Sequence, residues 1–302
     1  MNRMRTAFFS DENEWRTGWR MVAFVSLIVA LGAAVNIGWR ALGLPRIRVD
    51  GVTQPFPLLA FASLIAGGSL LIAAVLLRYF EAQGLAIIGL WFKRRALTDT
   101  LVGTLLGAVP VTLVVGFAVL AGFGEIEPGA VDVVALAITL LPMLAASYLL
   151  AAWEELTLRG YLLHQFSIAF NPTAAAIITG IVFGLIHSGN PGANWQGLLY
   201  TAVGGILMGL LMIRTGSLWL LIGYHFGWNA IASGLFGLEV SGMSENTSLF
   251  VSTLSGPDWL TGGDYGFEAA LPTAVFEILV LLLVLRSYRI ATSRKSGSRS
   301  VP

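Results

Sequence analysis

Apolar runs of about twenty residues recur along the whole chain, and no other feature limits its possible folds so sharply. Eight can be drawn, at residues 19–39, 57–80, 99–120, 142–166, 172–188, 195–213, 218–238 and 271–286. Each is near the ~20 residues an α-helix needs to cross the hydrocarbon core of a bilayer. In hydrocarbon every backbone amide must be bonded internally, so such segments pack as helices rather than loops or open strands. Composition points the same way. Hydrophobic residues make up 56% of the 302 residues and charged ones 12%, against about 25% charged in soluble domains. The expectation is an all-α polytopic membrane bundle of about eight transmembrane helices, with the lipid bilayer as its solvent. Cysteine is absent, which excludes disulfides, thiolate metal sites and cysteine catalysis. A net charge of +1 carries no footprint of a nucleic-acid partner, and none is expected.

The fourth segment is the hardest to bound, because apolar sequence extends from Val131 to Phe170. Pro142 suits a first helical turn, which would leave residues 131–141 as a short outer or re-entrant piece. The stretch "GLWFKRRAL" before the third segment mixes Trp91 and Phe92 with three bases and reads as interfacial. Arg16 and Arg20 precede the first run as they would in a signal peptide, but no clean A-x-A site follows, so a retained helix is favoured.

Lys and Arg settle the expected orientation. With eight spans, one side receives Arg3, Arg5, Arg16 and Arg20, the cluster Arg78, Lys93, Arg94 and Arg95, then Arg214 and the basic C-terminal tail. Loops 121–131, 189–194 and 239–270 on the other side contain no Lys or Arg; Arg40, Arg46 and Arg48 alone break the pattern. The positive-inside rule then places both termini in the cytoplasm, of the cell membrane if the cell is prokaryotic. The expected organisation is a cytoplasmic tail over residues 1–18, one transmembrane domain over 19–288, and a basic tail over 289–302 without fixed structure. Small-residue spacings, Gly103/Gly107, Gly180/Gly184, Gly205/Gly209 and Gly223/Gly227, would let helix backbones approach closely. No whole-chain repeat stands out, which counts against an inverted-repeat transporter.

Ionisable groups inside such helices cost several kcal/mol each, roughly 2.5–3.5 by insertion scales, and so call for a purpose. "AAWEELTLRGYLL" places Glu154, Glu155 and Arg159 in the fourth segment. Glu155 and Arg159 are four apart and can pair on one face, leaving Glu154, about 100° round the helix, to point elsewhere. From a start at Pro142, Glu154 would lie about 18 Å into the span. "FGLIHSGN" adds His187, and "GYHFGWN" adds His225 and Asn229 on one face of the seventh segment. An unpaired buried glutamate suits a general base near neutral pH. An imidazole can orient water, and an Asn amide with a second imidazole can donate to a tetrahedral oxyanion. Glu154, His187 and His225 could alternatively serve as three zinc ligands, although H-E-x-x-H is absent. His164 is expected at the interface, and Glu277 is an intramembrane acid without a partner visible in the sequence.

At these residues the chain resembles the CPBP family, the CAAX prenyl endopeptidases and bacteriocin-processing enzymes also called Abi proteins. That family's pattern is Glu-Glu-x-x-x-Arg, then Phe-x-x-x-His, then His-x-x-x-Asn. Here it reads Glu154-Glu155-x-x-x-Arg159, Phe183-x-x-x-His187 and His225-x-x-x-Asn229. The resemblance implies an intramembrane endopeptidase, a hydrolase acting on a membrane-anchored and in some members prenylated protein or peptide. It implies catalytic roles for the positions of Glu154 and His187, with oxyanion stabilisation at those of His225 and Asn229. Metal dependence it leaves open. The metal-free scheme is favoured because Glu155, the nearby carboxylate able to orient a ligating imidazole, is assigned to Arg159. The rival reading is a non-catalytic membrane protein or a proton- or ion-coupled transporter using the same Glu and His residues. A relay, however, gains little from the non-titrating Asn229.

Overall fold

The computed structural model describes residues 17–49, 52–129, 133–243 and 248–297. It is an all-α membrane bundle. Its long helices are α1 (Thr17–Ala41), α2 (Pro55–Phe80), α3 (Arg94–Leu120), α4 (Val133–Glu155), α6 (Pro172–Ile186), α7 (Trp195–Thr215), α8 (Leu218–Asn229) and α9 (Leu271–Gly297). The path of α4 continues through a π-helix, Leu156–Leu162, into α5 (Leu163–Ala169), and that of α8 through a second π-helix, Ala230–Leu235. Six helices among the described residues are long and apolar enough to cross a membrane. The other two expected spans are helical as well: α8 has 12 residues before its 6-residue π continuation, and α9 has 27.

The fourth segment departs from expectation. Residues from Val133 onward do not form a separate outer piece, because α4 runs without a break through Pro142. A proline inside a membrane helix removes one hydrogen bond but meets no competing water, and neighbouring groups re-satisfy the freed carbonyl. Pro142 is therefore an interior residue, and Glu154 lies about 31 Å from the start of α4 rather than 18 Å. Similarly α9 continues to Gly297, into the segment expected as an irregular tail, since no Gly or Pro intervenes after Pro272. The remaining tail residues, 1–16 and 298–302, lie outside the described residues.

Connections alternate between the two ends of the bundle. At one end are a short hairpin, β1 (Arg48–Val49) with β2 (Val52–Thr53), and a second two-stranded sheet. In that sheet β3 (Gly124–Pro128) pairs antiparallel with β4 (Phe250–Leu254), joining the α3–α4 and α8–α9 connections. The α6–α7 connection arrives there too, with Asn194 Nδ2 donating to Gly262 O and Gly192 against the Asp264 backbone. At the opposite end Trp219 Nε1 donates to Trp91 O at 2.8 Å. There Glu81 binds His164 Nε2 at 2.9 Å and Gln165, with Arg20 at 3.9 Å. The first helix starts, and the last runs, towards this second end. His164 is thus a partner of Glu81, tying α5 to α2. The Glu81 carboxyl is pushed up by burial, but the His164 and Gln165 bonds and the charges of His164 and Arg20 leave it below its ordinary 4.5.

The glycine spacings act in pairs. A Cβ at Gly103 would sit 2.1 Å from Leu220 O and one at Gly107 1.9 Å from Tyr224 O. From the other side, Gly223 and Gly227 would meet Thr100 O and Thr104 O at 2.2 and 2.1 Å. Bare backbones therefore lock α3 to α8. Gly180 and Gly184 press likewise on Ile206 and on Leu198 O, with Gly205 and Gly209 against α6. Close van der Waals approach is what holds helices together where lipid removes the hydrophobic drive. These two crossings bring α4, α6 and α8 round a common interior.

Candidate active site

That interior holds a cavity of about 450 Å³, and Glu154, His187, His225 and Asn229 all line it. Four residues far apart in sequence are thus gathered on one space. His187 occupies the 3₁₀ turn, His187–Gly189, that ends α6, while Glu154 sits where α4 meets its π-helix. The cavity lining includes Thr53 of β2 and Val240, Ser241 and Met243 of the α8–α9 connection. The expected outer loop therefore folds over the site instead of projecting from it.

Beneath the cavity lies an ionic relay. Glu155 and Arg159 are both fully buried, and Arg159 Nη1 donates to Glu155 Oε1 at 3.0 Å. The pair expected from the four-residue spacing is present, but Glu155 does more. The same Oε1 lies 3.0 Å from His225 Nδ1. With Arg159 holding Glu155 ionised, a carboxylate with lone pairs alone must accept, so His225 Nδ1 donates. This corrects the assignment of Glu155 to Arg159 alone and removes the argument that no carboxylate remains to orient an imidazole. His225 Nε2 then points at Glu154, 3.9 Å from its Oε2. That oxygen is buried and makes no hydrogen bond among the described residues. The two glutamates do not serve separate regions: they face the two nitrogens of one ring.

His187 is fixed differently. Its Nδ1 donates to Phe183 O at 2.7 Å, which leaves Nε2 unprotonated as an acceptor in the neutral ring. Phe183 is the hub of the site. Arg159 Cζ stacks 4.1 Å from its ring centroid, and the rings of His187 and His225 lie edge-on at 4.7 and 6.1 Å. The Phe of Phe-x-x-x-His thus seats the guanidinium by a cation–π contact and the imidazole by ring packing. Both site helices widen into π-helix just past Glu155 and Asn229, a feature frequent at functional sites that no residue pattern announced.

Two further carboxylates line the cavity. Glu268 Oε1 accepts from Trp228 Nε1 at 2.8 Å, and its Oε2 accepts from the Ser241 backbone and hydroxyl. It clasps the covering connection to α8. Nothing in "DYGFEAA" distinguished it, because an acid in a polar loop lacks contrast. Glu277, noted in the sequence but left outside the site, faces the same space. Among the described residues no three His, Cys, Asp or Glu side chains are placed to hold one metal ion. Glu154, His187 and His225 share the cavity without forming a ligand set, so no step is drawn through zinc.

With this geometry in hand, comparison with known proteins is informative. Residues 136–231, which carry all three motifs, match the family model "type II CAAX prenyl endopeptidase Rce1-like". An uncharacterized protein of Bacillus subtilis (strain 168), YyaK, is 33% identical over 111 residues. The match covers 35% of this chain and 37% of that relative. The matched stretch, about a third of the chain, is thus similar to a family of CAAX prenyl endopeptidases.

Proposed function

We propose that the protein is an intramembrane endopeptidase that hydrolyses a peptide bond in a membrane-anchored protein or peptide, with both its termini cytoplasmic. The observation that supports this most is the buried, unbonded Oε2 of Glu154 held 3.9 Å from a histidine whose other nitrogen is fixed. A water displaced from the line between them reaches both atoms at about 2.8 Å, an ordinary hydrogen-bond length. Glu154 takes the water proton as its oxygen attacks the carbonyl carbon, and the neutral His187 accepts the water's other hydrogen and orients it. The tetrahedral oxyanion receives hydrogen bonds from Asn229 and from His225 Nε2. In that donation His225 carries both ring protons, with Glu155 as its counter-charge. Glu154 then delivers the proton to the leaving nitrogen as the C–N bond breaks.

The cavity lies within a bundle of apolar helices, where low-dielectric surroundings strengthen such donors. The test is cleavage of candidate membrane peptides by the purified protein beside Glu154→Gln, with metal analysis of the active preparation. Turnover by the wild type, its loss in Glu154→Gln and survival under strong chelators are expected. Substantial cleavage by Glu154→Gln rules out this base. Stoichiometric zinc whose removal abolishes activity replaces the scheme with ligation by Glu154, His187 and His225.

A further inference from the structure

Glu277 has no place in this chemistry, yet it is built into the cavity. It lies in α9 near the start of the helix, half-buried, among the lining residues. Its carboxylate rests against α7 where Gly204 leaves room: a Cβ there would sit 2.5 Å from Glu277 Oε1. The other carboxylates are engaged. Glu268 accepts three hydrogen bonds, and Glu154 faces His225. No hydrogen bond or ion pair among the described residues engages Glu277. A half-buried carboxylate without a protein partner is costly to hold in low-dielectric surroundings, and inside a membrane bundle such a group marks a binding path by default. The geometry points to Glu277 as a specificity residue that receives a cationic side chain, lysine or arginine, of the substrate beside the cleaved bond. A neutral donor satisfies a carboxylate less well than a cation does. A site built round a polar contact discriminates strongly against an analogue that lacks it.

This inference rests on the peptidase reading, but binding tests it separately. The probes are two apolar membrane peptides identical except for a central lysine or norleucine. On the Glu154→Gln protein, which holds substrate without turnover, the lysine peptide should bind about tenfold more tightly. Adding Glu277→Gln should erase that preference, and Gly204→Ala, whose methyl displaces the carboxylate, should weaken it. On otherwise wild-type protein, Glu277→Gln should raise KM for the lysine peptide about tenfold with little change in kcat. Equal affinity for the two peptides, a preference that survives Glu277→Gln, or an equal fall in kcat on both overturns the inference. Lysine preference without any cleavage would instead sink the peptidase reading and leave this one standing, and cleavage without preference would do the reverse.

Discussion

Glu155→Gln removes one charge from the buried relay and should be the most damaging single change at the site. Glu155 and Arg159 are both fully buried, and among the described residues Arg159 makes one hydrogen bond, to Glu155, while its Nε and Nη2 have no partner. Stacking on Phe183 at 4.1 Å offers a desolvated cation about 2 kcal/mol or more, which does not replace the lost counter-charge. Breaking a buried pair by removing one partner costs about 3–5 kcal/mol. At roughly 2–4 °C per kcal/mol for a chain of this order, the apparent Tm in detergent should fall by about 6–20 °C. Glu154→Gln faces the cavity and should shift Tm by no more than a degree or two. The double variant Glu155→Gln/Arg159→Met removes both charges, and its Tm should recover above that of Glu155→Gln, because replacing a whole buried pair is often close to neutral. Thermal denaturation of the four proteins, followed by intrinsic tryptophan fluorescence, reads this directly. A Glu155→Gln protein as stable as wild type, or a double variant less stable than the single, would refute the reasoning.

His225→Ala and Asn229→Ala should each lower turnover by a similar factor, on the order of 10²–10³, as for loss of an oxyanion donor; kcat measured on one peptide substrate compares them. Reporter fusions in loop 239–270 should report the outer side and fusions after Arg289 the cytoplasm, following the Lys/Arg asymmetry; the reverse result overturns the orientation. Glu81→Gln should destabilise the protein at neutral pH. Because the folded carboxyl titrates below its ordinary 4.5, its contribution is present above that value and is lost as pH falls through the folded value. The Tm gap between wild type and Glu81→Gln should therefore close as the pH is lowered into acid, and a gap independent of pH would contradict the linkage.

Contrast decided what could be read from the residues. A glutamate or histidine within twenty apolar neighbours stands out, so Glu154, Glu155, Arg159, His187, His225 and Asn229 were all visible, and the structure sets them round one cavity and the relay beneath it. The glycine pairs were visible as spacings but not as partners, since which helix faces Gly103 is a tertiary fact. Glu268 had no contrast in its polar loop. Pro142 misled because proline marks a boundary in water, where the freed carbonyl finds solvent, and need not mark one inside a bundle.

The least legible feature is the one that joins structure to chemistry. Side chains at adjacent helix positions diverge by about 100°, so Glu154 and Glu155 read as belonging to different faces with different tasks. A ring placed between two diverging carboxylates can nevertheless meet both, one at each nitrogen, and His225 does so at 3.0 and 3.9 Å. The buried pair and the proposed reacting pair then share an element. Arg159 fixes the charge of Glu155, Glu155 fixes the tautomer and aim of His225, and His225 faces the oxygen of Glu154 that would meet the water. Loss of Arg159 should therefore reach the chemistry without touching substrate. A helix that needs a base beside a precisely held imidazole can supply both from neighbouring residues if a cation one turn on, here Arg159, keeps the second carboxylate ionised.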